Sequence, residues 1–193
     1  MSVLLGIAAF VLGSVHTGLL IARVKGIDLR SVGSGNIGAT NVLRAAGKLP
    51  ALATLLGDAA KGAIPVWAAH LLGCDILAKG LIGVMAVLGH NFSIFLKFRG
   101  GKGVATSLGV LAAYAPLPAL FTAIIWLITA VLSRYSSLGA LVSFSAMPLL
   151  VALLDEKMKL PAAVVLSLML VVRHRENISR LMQGTERRIG GAR

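Results

Sequence analysis

The chain has 193 residues, 57% of them hydrophobic and 13% charged, with a mean hydropathy of +0.88; that is more apolar side chain than one small water-soluble core can bury. A formal charge of +12, from 19 bases against 7 acids, biases the few polar positions toward anions, whether lipid headgroups or substrates. The single cysteine, Cys74, excludes an internal disulfide and a cysteine-built metal site.

Apolar runs of about the 20 residues needed to cross a bilayer fall near 1–23, 50–73, 76–97, 103–118, 118–133, 137–154 and 158–173, which predicts an all-α polytopic membrane protein of about seven helices forming one domain over 1–193. The first run has neither a basic n-region nor a small-residue cleavage site, so it reads as a retained span rather than a signal peptide. After it comes "SVGSGNIGATNVLRAAGK", Ser31 to Lys48: glycines, hydroxyls, amides and bases without an acid. The second run carries Asp58 and Lys61 one turn apart, a spacing at which two charges inside lipid neutralise each other, and both are assigned a structural role. His70 and Asp75 match an H-x-x-x-x-D pair, a spacing common by chance and far from every basic loop. The fourth and fifth runs meet at "AAYAPLPALF", a tight Pro-containing turn, and the fourth is short enough for a re-entrant hairpin.

Short loops rich in Lys and Arg stay cytoplasmic. With the N-terminus outside and the C-terminus cytoplasmic, one face receives fifteen of the nineteen bases, namely Arg23, Lys25, Arg30, Arg44, Lys48, Lys97, Arg99, Lys102, Arg134 and six arginines from Arg173 to Arg193. The other face keeps Lys79, Lys157 and Lys159, offset by Asp75, Asp155 and Glu156. A positive rim explains the count of bases. It does not explain the glycines.

Two loops on the basic face share a pattern, Gly35-Asn36-Ile37-Gly38-Ala39-Thr40-Asn41 and Gly101-Lys102-Gly103-Val104-Ala105-Thr106-Ser107, each opening an apolar or amphipathic stretch. Glycine at positive φ lets several N–H groups converge on one anion, and a helix start adds partial positive charge. Gly35 and Gly38 are therefore expected in left-handed turns, with Asn36, Thr40 and Asn41 contributing to the same nest. Ser136 and Ser137, in "SRYSSLGAL", open the sixth helix in a similar position. "RGGKGVATS" is not a nucleotide P-loop, because Gly103 rather than a hydroxyl follows Lys102. In "RHRENISRLMQGTERR", His174 and Asn177 share a helix face, and Glu176 is spaced to pair internally with Arg173 and Arg180.

The segments Gly33 to Arg44, Gly89 to Thr106 and His174 to Glu186 together resemble, in order and spacing, the bacterial integral-membrane acyl-phosphate:glycerol-3-phosphate acyltransferases, and the resemblance covers nearly the whole chain. It implies roles for Ser34 and Arg44 in the first motif and glycerol 3-phosphate binding by Gly100, Gly101, Lys102 and Gly103 in the second. In the third it implies activity for His174 and Asn177, and integrity for Glu176. Departures are Ser93, where proline is commoner, and Arg99, where lysine is.

The activity implied is transfer of a long-chain acyl group from acyl phosphate to glycerol 3-phosphate at the cytoplasmic face of a bacterial inner membrane, giving lysophosphatidate and phosphate. Its partners are the two substrates and membrane lipid, with no nucleic acid, metal or cofactor. Holding two phosphates together requires cations, which Arg44, Lys102 and His174 supply. His174 is expected as a phosphate-binding donor in preference to a general base, because no cytoplasmic carboxylate is placed to orient it. Ser34 is expected to stabilise the oxyanion rather than form an ester, since no Ser-His-Asp set is present. The competing class is a transporter of an organic phosphate or other anion, which would also use multiple spans and basic loops.

Overall fold

The computed structural model describes residues 1–190; Arg193 of the expected basic tail lies outside them. The described residues form helices without a strand: α1 (Ser2–Gly13), α2 (Thr17–Val24), α3 (Ala39–Ala46), α4 (Lys48–Leu71), α5 (Ile76–Asn91), α6 (Val104–Tyr114), α7 (Pro116–Ser133), α8 (Ser136–Leu154), α9 (Leu160–Arg173) and α10 (Arg175–Met182). By length and composition, Ser2–Val24, Ile76–Leu96, Pro116–Ser133 and Ser136–Leu154 are sufficient to cross a membrane. The expected fourth and seventh spans come out as helices of 11 and 14 residues, only about 16 and 21 Å long at 1.5 Å per residue. Ala115 alone joins α6 to α7, the tight turn that Pro116 favours at a helix start.

The first apolar run is not continuous. It breaks over Ser14–His16, and backbone groups freed there need partners because lipid supplies none. Ser93 donates its hydroxyl to Ser14 O at 2.7 Å, the task this buried serine performs where proline is commoner. His16 lies 2.9 Å from Ser14 O and 3.0 Å from His90 O. Lys61 donates to Val15 O while standing 2.9 Å from Asp58, with side chains only 5% and 3% exposed. The pair read from the sequence is thus present, and its lysine also repairs the break.

Glycine lets the bundle close. A Cβ on Gly13 would meet Ala86 O at 2.1 Å and one on Gly62 would meet Thr106 O at 2.1 Å, so α1 lies on α5 and α4 on α6 backbone to backbone. The second contact also sets a depth: α6 begins beside the middle of α4, so the loop before it dips into the bundle. Phe144, Leu111, Leu166, Leu170 and Val110 fill the core among α6, α8 and α9, while Trp67, Leu81, Leu127 and Leu168 face outward.

The bundle has two unlike ends. At one, Tyr114 donates to Ile76 O, Lys159 pairs with Asp155, Asp75 caps α5 by accepting from Ala78 N at 2.8 Å, and His70 Nδ1 sits 3.3 Å from Lys79. His70 and Asp75 thus have structural partners there. The other end gathers all three sequence motifs.

Candidate functional site

The first loop is built around one amide. Gly33 and Gly35 take φ of +62° and +67°, which turns the chain around Asn41. Asn41 accepts from Ser34 N at 3.0 Å and donates to Leu29 O and Val32 O at 3.0 Å each. Expected as a ligand, Asn41 is instead spent on the loop's backbone. Gly38 also departs from expectation: its φ of −84° is open to any residue, and a Cβ there would meet nothing nearer than 4.0 Å. Ser34 is exposed and Asn36 half-buried, its Oδ1 accepting from Ile37 N at 2.8 Å. Thr40 and Ser136 face each other at 3.0 Å, tying α3 to the start of α8.

The second loop uses its glycines differently. Gly100 N and Gly101 N donate to Asn91 O and His90 O at 3.2 and 3.0 Å, so neither N–H is offered to an anion. Both residues are glycine because α5 presses on them: a Cβ would fall 2.0 Å from His90 O at Gly100 and 2.2 Å from His90 Nε2 at Gly101. Gly103, at φ +80°, caps α6. The N–H groups of residues 34, 35, 37, 100 and 101 are engaged internally, whereas the helix starts, Ala39 and Thr40 of α3 and Val104 and Ala105 of α6, line one cavity.

The chain's last segment closes the site. Gly184, at φ +69°, turns it back after α10, and Glu186 enters between the helices. Its Oε1 accepts from Ser137 and Asn177, both at 2.6 Å, and its Oε2 from Arg180 Nε at 2.7 Å. Asn177 Oδ1 in turn accepts from Lys102. Arg44 reaches Arg187 O at 3.3 Å across the mouth. Glu176, expected as the internal ion-pair partner, does pair with Arg180, but loosely: its side chain is 73% exposed and 3.9 Å away, against 9% and 2.7 Å for Glu186, which makes the tighter pair. Arg173 turns away from it toward the second loop.

His174 is buried, its Nδ1 2.8 Å from Leu170 O. A carbonyl only accepts, so Nδ1 carries the proton and Nε2 keeps its lone pair. Burial pushes the ring's pKa down to about 4, and the charge of Lys102 adds to this against the Leu170 bond. At neutral pH His174 is therefore an acceptor, the reverse of the donor expected from the sequence. A backbone carbonyl does the orienting that no carboxylate was placed to do. Burial and the Arg180 charge bring Lys102 down to about 8, against the opposing effect of Glu186. Burial raises Glu186, but hydrogen bonds from Ser137, Arg180 and Asn177 outweigh it and hold the carboxyl below its usual range.

These groups surround a cavity of about 480 Å³. Its polar lining includes Ser34, Arg44, Lys102, His174 and Asn177, and its apolar lining Leu52, Leu55 and Trp126. Leu52 and Leu55 are also 50% and 42% exposed on the flank of the bundle, so the cavity's apolar side adjoins the surface where acyl chains lie. A smaller, polar hollow of about 180 Å³ shares Ser34, Asn36, Lys102 and Arg180 with it and adds Gly35, Gly100, Arg173 and Arg175. Asp58, assigned only a structural role from the sequence, also lines the large cavity, as does His90. Sequence reasoning missed Glu186 and Arg180 as site residues; the one local signal was "QGTE", a glycine stop that reverses the chain.

Residues 3–184 match the family model described as glycerol-3-phosphate acyltransferase. A glycerol-3-phosphate acyltransferase from Geobacter sulfurreducens is 46% identical over 181 residues, covering 93% of each chain. One from Thermus thermophilus is 48% identical over 183 residues, covering 94% of this chain and 92% of that one. Among solved structures, the crystal structure of PlsY, an integral membrane glycerol 3-phosphate acyltransferase, in its glycerol 3-phosphate form is similar at a TM-score of 0.92 and 41% identity, covering 97% of this chain and 94% of that one. Its lysophosphatidic acid form gives 0.90 and 39% over the same shares.

Proposed function

The chain belongs to the glycerol-3-phosphate acyltransferase family, and from that premise we propose that it moves a long-chain acyl group from acyl phosphate directly to a hydroxyl of glycerol 3-phosphate, at the cytoplasmic face of a bacterial inner membrane. The observation that carries this reading is one cavity lined by cations and a buried neutral imidazole, with an apolar side open toward lipid. A water-soluble phosphate meets a lipid-borne one there. An anion transporter has no use for a buried acceptor such as His174 Nε2.

In this reading Arg44 and Lys102 offset the repulsion between two phosphates, together with the first turns of α3 and α6. His174 Nε2 accepts the proton of the glycerol hydroxyl as its oxygen attacks the acyl carbonyl. The carbonyl oxygen becomes an oxyanion, to which Ser34, the hydroxyl that lines both cavities, donates. The tetrahedral intermediate collapses by breaking the bond to phosphate, which leaves as the anion and takes up the proton held on His174. Lysophosphatidate and phosphate are the products. Gly35, Gly100, Gly101 and Gly103 shape the loops, Asn36 and Thr40 line the substrate wall, and Asn177 holds Lys102.

Purified protein in detergent, given palmitoyl phosphate, is expected to release phosphate only when glycerol 3-phosphate is present, with equimolar lysophosphatidate. Transfer from acyl-CoA but not from acyl phosphate would reject the donor.

A further inference from the structure

We propose that Arg173 is a positioning residue for the acyl transfer, acting through the second glycine loop to aim Lys102 at the substrate phosphate; this rests on the clamp role of Lys102 proposed above. Arg173 ends α9, and its guanidinium fork donates from Nε to Gly101 O at 3.0 Å and from Nη2 to Gly100 O at 3.1 Å. The same group lies over the Phe92 ring, 5.3 Å from its centroid. On the other side of the loop, the N–H groups of Gly100 and Gly101 are held by the last carbonyls of α5. Each glycine is thereby held at its N–H by α5 and at its carbonyl by Arg173 at the end of α9, and the peptide unit between them is fixed at donor and acceptor alike.

Neither glycine has a side chain to anchor it, so these four bonds, together with the close approach of α5, set the direction of the pair. The next residue is Lys102, and the one after it is the cap of α6. A fixed Gly100–Gly101 pair therefore fixes where the ammonium points, toward Asn177 and the cavity. The residue after Arg173 is His174. One helix end thus sends consecutive residues to the two halves of the reaction, the arginine to the loop bearing the phosphate clamp and the histidine into the cavity. The planar fork is what this requires, since a lysine's single point charge cannot hold two carbonyls in a set geometry.

The test is a set of variants assayed in detergent: Arg173→Lys, Arg173→Met, Lys102→Ala and the double variant Arg173→Met/Lys102→Ala, each with KM for glycerol 3-phosphate, kcat and a thermal midpoint. Arg173→Lys is expected to raise KM about tenfold with kcat within about threefold and a near-normal midpoint. Arg173→Met should do the same or more, yet add less than about threefold once Lys102 is already alanine, because residues acting through one group are not additive. Recovery of wild-type KM by Arg173→Lys would show that charge alone suffices and would overturn the positioning role. A multiplicative loss in the double variant would do so too, pointing to direct contact with substrate or to general stability. Should Arg173→Met fail to assemble, Arg173→Lys decides alone. A Lys102→Ala protein with normal KM would reject the clamp and this inference together, whereas a defective Lys102→Ala beside a normal Arg173→Lys rejects this inference only.

Discussion

The two glycine loops look like copies of one another in the sequence, yet each needs glycine for a different reason. In the first, Gly33 and Gly35 provide positive φ and a buried Asn41 ties the turn from within. In the second, Gly100 and Gly101 leave room for His90 and its carbonyl, and the tie comes from outside, through Arg173. A shared pattern of residue types specified a shared place in the fold, at the mouth of one cavity, without specifying a shared construction. The difference also separates the two proposed clamps. Arg44 stands one helix turn into α3 and holds its charge at any accessible pH, whereas Lys102 sits inside its loop and titrates.

Substitutions that distinguish the two constructions should differ most in the second loop. Gly101→Ala puts a Cβ 2.2 Å from His90 Nε2 and Gly100→Ala one 2.0 Å from a backbone carbonyl; overpacking costs about 1–3 kcal/mol, and contacts this short against a packed helix fall at the high end. The expected outcome is loss of folded, monodisperse protein, read by yield and size exclusion. Normal yield with altered KM alone would return these glycines to the substrate.

Removing either clamp comes next. Charge-assisted bonds to an anion contribute about 1.5–3 kcal/mol each, so Arg44→Ala and Lys102→Ala should each lower kcat/KM for glycerol 3-phosphate by roughly tenfold or more, with insertion intact. Unchanged kinetics in either would remove that residue from the site.

A pH profile sharpens the comparison further. Lys102 is charged below about 8 and loses its charge above it, so kcat/KM should fall on the alkaline side from that point. His174 is neutral above about 4, so its acceptor role persists down to that value and fails below it. Lys102→Arg should flatten the alkaline limb, because only the second loop carries a titrating clamp. An alkaline limb that persists in this variant would place the ionisation elsewhere.

The first loop predicts the smaller effects. Gly35→Ala forces a Cβ into positive φ at a cost of about 1–2 kcal/mol, which should lower the thermal midpoint and slow turnover while the protein still assembles. Gly38→Ala should stay within about threefold of the parent, since its backbone is ordinary and its surroundings open. Equal damage from the two would mean that substrate contact, rather than backbone geometry, decides.

Helices and their ends were legible because hydropathy and base asymmetry are written along the chain, and Asp58 with Lys61 announced their pairing by spacing alone. The site was legible as three motifs and their convergence, but not in its wiring. Glu186 lies nine residues beyond Asn177, and nothing local indicates that the chain doubles back to make this acid a closer partner of Arg180 than the nearby Glu176. The break in the first span was hidden for a similar reason: its repair comes from Lys61 and Ser93, far away in sequence. His174 changed from donor to acceptor because its tautomer is set by a backbone carbonyl, which no side-chain pattern encodes.

The most direct test of direct transfer between two held phosphates is to incubate the protein with radiolabelled acyl phosphate alone, denature it and treat it with hydroxylamine. Direct transfer predicts no protein-bound label and lysophosphatidate only after glycerol 3-phosphate is added. Stoichiometric, hydroxylamine-labile label that disappears in Ser34→Ala would contradict it and establish an acyl-enzyme.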